Sequence, residues 1–193
     1  MFRTIPAAWL AQARPGAKIL TTLSGWLWGF GRVLLTVDEH GRAEGPLLPG
    51  TVSFMLARAD SPPAFGTAAH WALLTRDARP RAARHTPDRI NDATPEAFTA
   101  RFLAQLAVPN AQMAPDDDGT HLVDITTGSV ASLTPGHGGW TVRQAGPVRL
   151  WDSVEAALTA WEQAGRPGTE EFRMVIDGEG QRIEHAAGLT FVR

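Results

Sequence analysis

The chain has 193 residues, 18 Lys plus Arg against 20 Asp plus Glu, and no cysteine. The near-neutral balance removes any electrostatic case for nucleic acid or an anionic membrane, and the missing thiols exclude disulfides, thiolate metal sites and thiol nucleophiles. With neither a signal-peptide apolar core at its start nor an apolar run of the ~18–20 residues that span a bilayer, the expectation is a cytoplasmic globular chain of one large or two small domains.

Pro6 suits a first helical position, where its missing N–H is no loss, and residues 7–13 are good helix formers. Pro15-Gly16 stops that helix, and 17–23 reads as a buried strand. A short helix, a Pro-Gly turn and a central strand come late in a doubly wound α/β sheet, so the chain begins like the second half of something larger. Strands are expected at 31–38, 42–47 and 51–57, with a turn at His40-Gly41. Val33, Leu34, Leu35 and Val37 make the first of these look covered on both faces. These elements form a first block, 1–58.

Residues 59–94 form a linker rich in Pro and Arg, either an ordered crossing or a mobile one, with one short helix at 68–74. The second block, 95–193, opens with a helix at 95–107, capped by Thr94 and striped by Phe98, Phe102, Leu103 and Leu106. Short strands near 110–114, 120–125, 129–134 and 139–144 make an antiparallel meander. A helix at 153–164 has Asp152 as its expected N-cap and Glu155 closing a capping box, with Trp151 and Ala156 as a hydrophobic staple. Gly165 and Pro167 end it, and 172–176 and 181–184 pair as a hairpin around 177–180.

Ile5-Pro6, Trp9-Leu10, Gln12, Pro15-Gly16 and Lys18-Ile19-Leu20 resemble the segment after the fourth strand in methyltransferases of the protein-L-isoaspartate O-methyltransferase type. Ala17 departs from that pattern, where the family usually has a second Gly. Residues 32–42 look like the family's late hairpin and 50–56 like its last strand. The nearest likeness, through 25–35, 45–55 and 146–152, is to the branch associated with ATP-grasp peptide maturase systems, which modify ribosomally made peptides. The resemblance covers nearly the whole chain.

It implies an α/β fold in which 1–58 is the C-terminal part of a Rossmann-like methyltransferase sheet and 95–193 is a small family-specific α+β domain containing the meander. The implied activity is S-adenosylmethionine-dependent O-methylation of a protein or peptide carboxylate. In the family, a Gly-rich turn, an acidic residue ending the second strand and a catalytic Ser/Thr-Ala-Ala loop all precede the segment that opens this chain. No catalytic or cofactor-binding residue is therefore assigned here. S-adenosylmethionine belongs to the parent family and is not expected to bind this chain tightly by itself. The expected partners are a precursor peptide or protein substrate and an N-terminal methyltransferase half, with no nucleic acid and no membrane. Two further readings stand beside this one: a non-catalytic peptide-binding module, and one half of a split methyltransferase. The split enzyme predicts an exposed apolar sheet edge near 17–23 that a partner covers.

Gly25, Gly29 and Gly31 lie between two strands and read as turn glycines, as do Gly136, Gly138 and Gly139, and Gly178 and Gly180. The six His, at 40, 70, 85, 121, 137 and 185, read as scattered surface residues with no metal-ligand spacing. Asp116-Asp117-Asp118 reads as a solvated turn, lacking the ligand spacing of a calcium loop. Arg76, Arg79, Arg81 and Arg84, followed by His85 and Arg89, are either a docking strip for an acidic peptide or a solvated charged linker. Trp26, Trp28 and Phe30 follow strand 17–23 and form either an aromatic wall against a substrate or an apolar cap over the sheet. Trp9 and Trp71 read as packing residues.

Overall fold

Two prolines bracket the first helix, α1 (Ala7–Gln12), in the computed structural model, which describes residues 1–50, 52–116 and 119–192. Gly16, at φ 80°, turns the chain into β1 (Lys18–Leu23). β2 (Gly31–Val37) and β3 (Ala43–Leu48) follow as antiparallel neighbours. Only glycine fits at Gly45, because a Cβ there would lie 1.9 Å from the Leu34 carbonyl oxygen. Burial along β2 alternates: Val33, Leu35 and Val37 are fully covered and Leu34 is half-buried, so one face of the strand is covered better than the other.

Residues 52–57 form no strand, and Thr51 lies outside the described residues. The segment is tied down instead by the chain's first residue. The Met1 ammonium donates to the Met55 carbonyl at 2.8 Å, and the Ala57 N–H donates to the Met1 carbonyl at 2.8 Å. The crossing that follows is ordered. It holds α2 (Ala68–Leu74), β4 (Arg81–Ala82) and α3 (Asp88–Asn91).

α4 (Pro95–Ala107) has the predicted bounds, with the Thr94 hydroxyl accepting from the Ala97 N–H. The meander is β5 (Gln112–Asp116), β6 (Gly119–Asp124), β7 (Ser129–Gly136) and β8 (Gly139–Ala145). The acidic turn expected at 116–118 falls partly on residues 117 and 118, outside the described ones.

α5 (Leu150–Gln163) starts a turn earlier than predicted, and neither Asp152 nor Glu155 caps it. The Gln144 side chain does that work, its Oε1 accepting the Trp151 N–H at 2.7 Å. Both acids are drawn away to Arg81, and Trp151 is buried inside the helix rather than stapling its entrance. The chain ends in β9 (Arg173–Asp177), β10 (Gly180–Glu184) and β11 (Thr190–Val192).

The strands make two sheets, ordered β1-β2-β3-β9-β10-β11 and β4-β8-β7-β6-β5. The fold is mixed α/β, and every strand ladder is antiparallel. One parallel bridge is present, Phe2 against Leu23. The blocks seen along the sequence do not stay apart. β9 pairs with β3, so the last strands complete the sheet begun by the first. One buried cluster joins Val33 and Leu35 of β2, Phe102 and Leu106 of α4, Leu122 and Leu133 of the meander, and Trp151 and Trp161 of α5. Each side chain of this size contributes roughly 1.5–3 kcal/mol when fully buried. α2 covers the far face of the second sheet, with Trp71 against Val123 and Val130.

β1 was expected to be central and instead lies at the edge of its sheet. Among the described residues only its end is covered on the outer side. The Phe2 N–H donates to the Thr22 carbonyl at 3.1 Å, and the Ser24 N–H donates to the Phe2 carbonyl at 2.9 Å. Main-chain groups alternate along a strand, so those of Lys18 and Leu20 point outward like those of Thr22. Leu20 is 65% exposed, and Phe54 and Met55 beyond it are 64% and 89% exposed.

Candidate functional site

The loop between β1 and β2 is fixed by α4. The Gly29 N–H donates to Gln105 Oε1 and the Gln105 amide donates back to the Gly29 carbonyl, both at 3.0 Å. A Cβ at Gly25 would lie 2.6 Å from the Gln105 side chain, one at Gly29 2.7 Å from the Phe102 backbone, and one at Gly31 2.7 Å from the Phe102 ring. None of the three has a positive φ. They are close-packing glycines against a helix, where turn glycines were expected. The same filling settles a chemical point. A nucleotide cradle needs open backbone beside its glycines, and here that space is occupied. The described residues of this loop do not fit S-adenosylmethionine.

The fixed loop sets Phe30 at the edge of a cleft of about 470 Å³. Pro49 and Gly50 line it beside Phe30, and Pro95, Phe98 and Thr99 line it from the first turn of α4. The floor is Trp161, whose indole N–H donates to the Pro167 carbonyl at 2.8 Å. β1 and β3 end and β2 begins on this side of the sheet.

Charge surrounds this apolar floor. Gly165 ends α5 at φ 88°, and Arg166 follows in the left-handed region at φ 59°. The Arg166 guanidinium lies 3.1 Å from Glu162 and 3.8 Å from Glu96. The Glu170 carboxylate folds over Gly168, where a Cβ would lie 2.6 Å from it.

Of the aromatic residues after β1, Trp26 is buried. Its N–H donates to the Asp60 carbonyl at 2.8 Å, and the Arg3 guanidinium sits 4.0 Å over its ring. It packs the loop and presents no wall. Trp28 is 47% exposed and left-handed at φ 58°.

The arginines divide. Arg81 is ion-paired to Asp152 and, at 2.8 Å, to the buried Glu155. Glu155 also accepts the Arg84 N–H at 2.6 Å. Burial pushes the Asp152 carboxyl up, but hydrogen bonds from Arg81 and Gln144 outweigh that and hold it below its ordinary value. Arg89 pairs with Glu162 at 2.7 Å. Arg76, Arg79 and Arg84 are exposed, and their guanidiniums enter no ion pair among the described residues. Arg81 is thus committed within the fold, unlike these three.

His121 is 3% exposed, not a surface residue. Its Nδ1 lies 2.8 Å from the Ser132 hydroxyl, which takes a hydrogen bond from Thr75 at 2.7 Å. The chain of three fastens the end of α2 to the second sheet. Among the described residues no cluster of His, Asp or Glu could hold a metal ion, and no helix is long and apolar enough to cross a membrane.

Of the cleft, the sequence singled out Phe30 alone, as part of a candidate aromatic wall. The cleft walls come from five separate stretches, and Phe98 and Trp161 read as ordinary helix-stripe residues. The other linear hints are Pro49-Gly50 and Gly165 to Pro167, which mark chain reversals. Comparisons of the chain with protein-family models, with curated proteins and with solved structures found no match.

Proposed function

We propose that this chain is the C-terminal, substrate-recognising portion of an S-adenosylmethionine-dependent carboxylate O-methyltransferase of the isoaspartate type, acting on a peptide during maturation. The observation that carries the reading is the β1 edge. Phe2 runs parallel to β1 and makes two ladder bonds at its end, while the outward groups of Lys18 and Leu20 face no strand among the described residues. A parallel strand arriving along β1 is the arrangement a Rossmann-like sheet needs, and exposed Leu20 and Phe54 flank the slot it would fill. The cofactor is then held by a second half, in keeping with the filled glycine loop. What this chain supplies is positioning and exclusion of water at the peptide carboxylate.

A binding module without catalysis is a second reading, favoured by Arg76, Arg79 and Arg84, whose guanidiniums enter no ion pair among the described residues and suit acidic side chains. One experiment separates the two. The chain is mixed with the cofactor-binding half of an isoaspartate-type methyltransferase, and methyl transfer from labelled S-adenosylmethionine to acidic peptides is followed. Transfer that needs both halves supports the enzyme. Peptide binding by the chain alone, with no transfer in the mixture, supports the module.

A further inference from the structure

The charges around the 470 Å³ cleft do not cancel. Glu162 and Glu96 are shared between Arg89 and Arg166, at distances from 2.7 to 3.8 Å, and that quartet is neutral. Glu170 is left over. It lines the cleft, its carboxylate is folded back over Gly168, and it enters no ion pair or side-chain hydrogen bond among the described residues. The cleft is an apolar slot with one uncommitted negative charge at its mouth. An anion would meet both Glu170 and Glu96 there, and the first turn of α4 already has Thr94 as its cap and Glu96 against its dipole.

The backbone points to the same place. Among the described residues only two that are not glycine have positive φ, Trp28 and Arg166. Arg166 lines the cleft, and Trp28 stands two residues before Phe30, which also lines it. The left-handed conformation costs such residues roughly 1–2 kcal/mol, and strain of this kind collects where a geometry serves a site.

We propose that the cleft binds a basic side chain of an extended peptide. The aliphatic stem lies against Phe30, Phe98 and Pro167, and the ammonium or guanidinium meets Glu170. Resting on the peptide-directed reading above, this assigns the peptide a basic residue in addition to any carboxylate it carries.

Three short peptides of the form acetyl-Phe-X-Phe-amide, with X as Lys, Gln or Glu, are titrated into the whole chain. The Trp161 indole N–H resonance reports occupancy, because Trp161 lines the cleft and its N–H donates to Pro167, which lines it too. The Lys peptide is expected to bind about three- to fivefold tighter than the Gln peptide, the scale of a partly exposed ion pair, and the Glu peptide to bind weakest. Glu170→Gln, an exposed position that leaves folding intact, is expected to erase the Lys advantage without changing the Gln peptide. The inference is overturned if the Glu peptide matches the Lys peptide, if the Lys advantage survives Glu170→Gln, or if no peptide moves the Trp161 resonance. Neither cofactor nor second half is present in this titration. Its failure is therefore distinct from a failure of methyl transfer.

Discussion

Gln105 and Gly29, 76 residues apart, exchange two hydrogen bonds in the buried interior, the side-chain amide of one satisfying both main-chain groups of the other. The pair fixes the loop after β1 onto α4 and thereby sets one wall of the cleft. Gln105→Leu keeps the volume and strands the Gly29 N–H and carbonyl. Leaving a buried polar group unpaired costs about 1–3 kcal/mol, so the variant should lose about 2–4 kcal/mol. A lower urea midpoint with an unchanged slope would check this. Gly29→Ala should also destabilise, since its Cβ would lie 2.7 Å from the Phe102 backbone.

Arg81→Leu removes the only ion-pair partner that the buried Glu155 has among the described residues. Stripping a buried charge of its partner costs about 3–5 kcal/mol, with the lower figure expected because Arg81 is itself one-third exposed. Urea unfolding at pH 7 measures the loss.

The neighbouring Arg81–Asp152 pair gives a pH dependence with a definite sign. Asp152 is held below its ordinary value in the folded chain. Its contribution is therefore complete above the unfolded value, about pH 4, and disappears as pH falls through the lower folded value. Stability measured from pH 6 down to pH 2 should decline over that acidic window, and less steeply in Arg81→Leu.

Trp28→Asn tests whether the left-handed tryptophan is kept for use. Asn tolerates this backbone region, so stability should hold or rise by about 0.5–1 kcal/mol. Peptide binding at the neighbouring cleft should weaken. A stable variant with unaltered binding would show that Trp28 only caps the sheet.

Leu20→Lys places a charge on the open face of β1. The exposed Leu20, Phe54 and Met55 predict self-association of the isolated chain at high concentration. Sedimentation should show less of it in the variant, with thermal stability little changed because Leu20 is 65% exposed.

Local signals were legible in the sequence wherever one stretch decides its own structure. Thr94 with Pro95 set the start of α4, and Asp177 to Gly180 set the β9–β10 hairpin. Tertiary competition was not legible. Asp152 and Glu155 have capping-box spacing, but Arg81, 71 residues away, offers a stronger partner than the helix end. Gly25, Gly29 and Gly31 looked like turn residues, since nothing local says that Phe102 will occupy the space beside them. β1 reads as a central strand by its apolar run, yet its position in the sheet depends on what pairs with it. His121 gave no hint of burial, because its partner Ser132 lies on a neighbouring strand and the Thr75 that bonds Ser132 lies on the cap of α2.

The most direct test of the central claim is the native mass of this protein in its source cells, measured on untagged material. A chain that serves as the substrate-recognising part of a methyltransferase predicts a species about twice the 20.8 kDa calculated for these residues, covalent or assembled. A species of 20.8 kDa alone, with no companion under any condition that preserves methylation of the peptide, would contradict it.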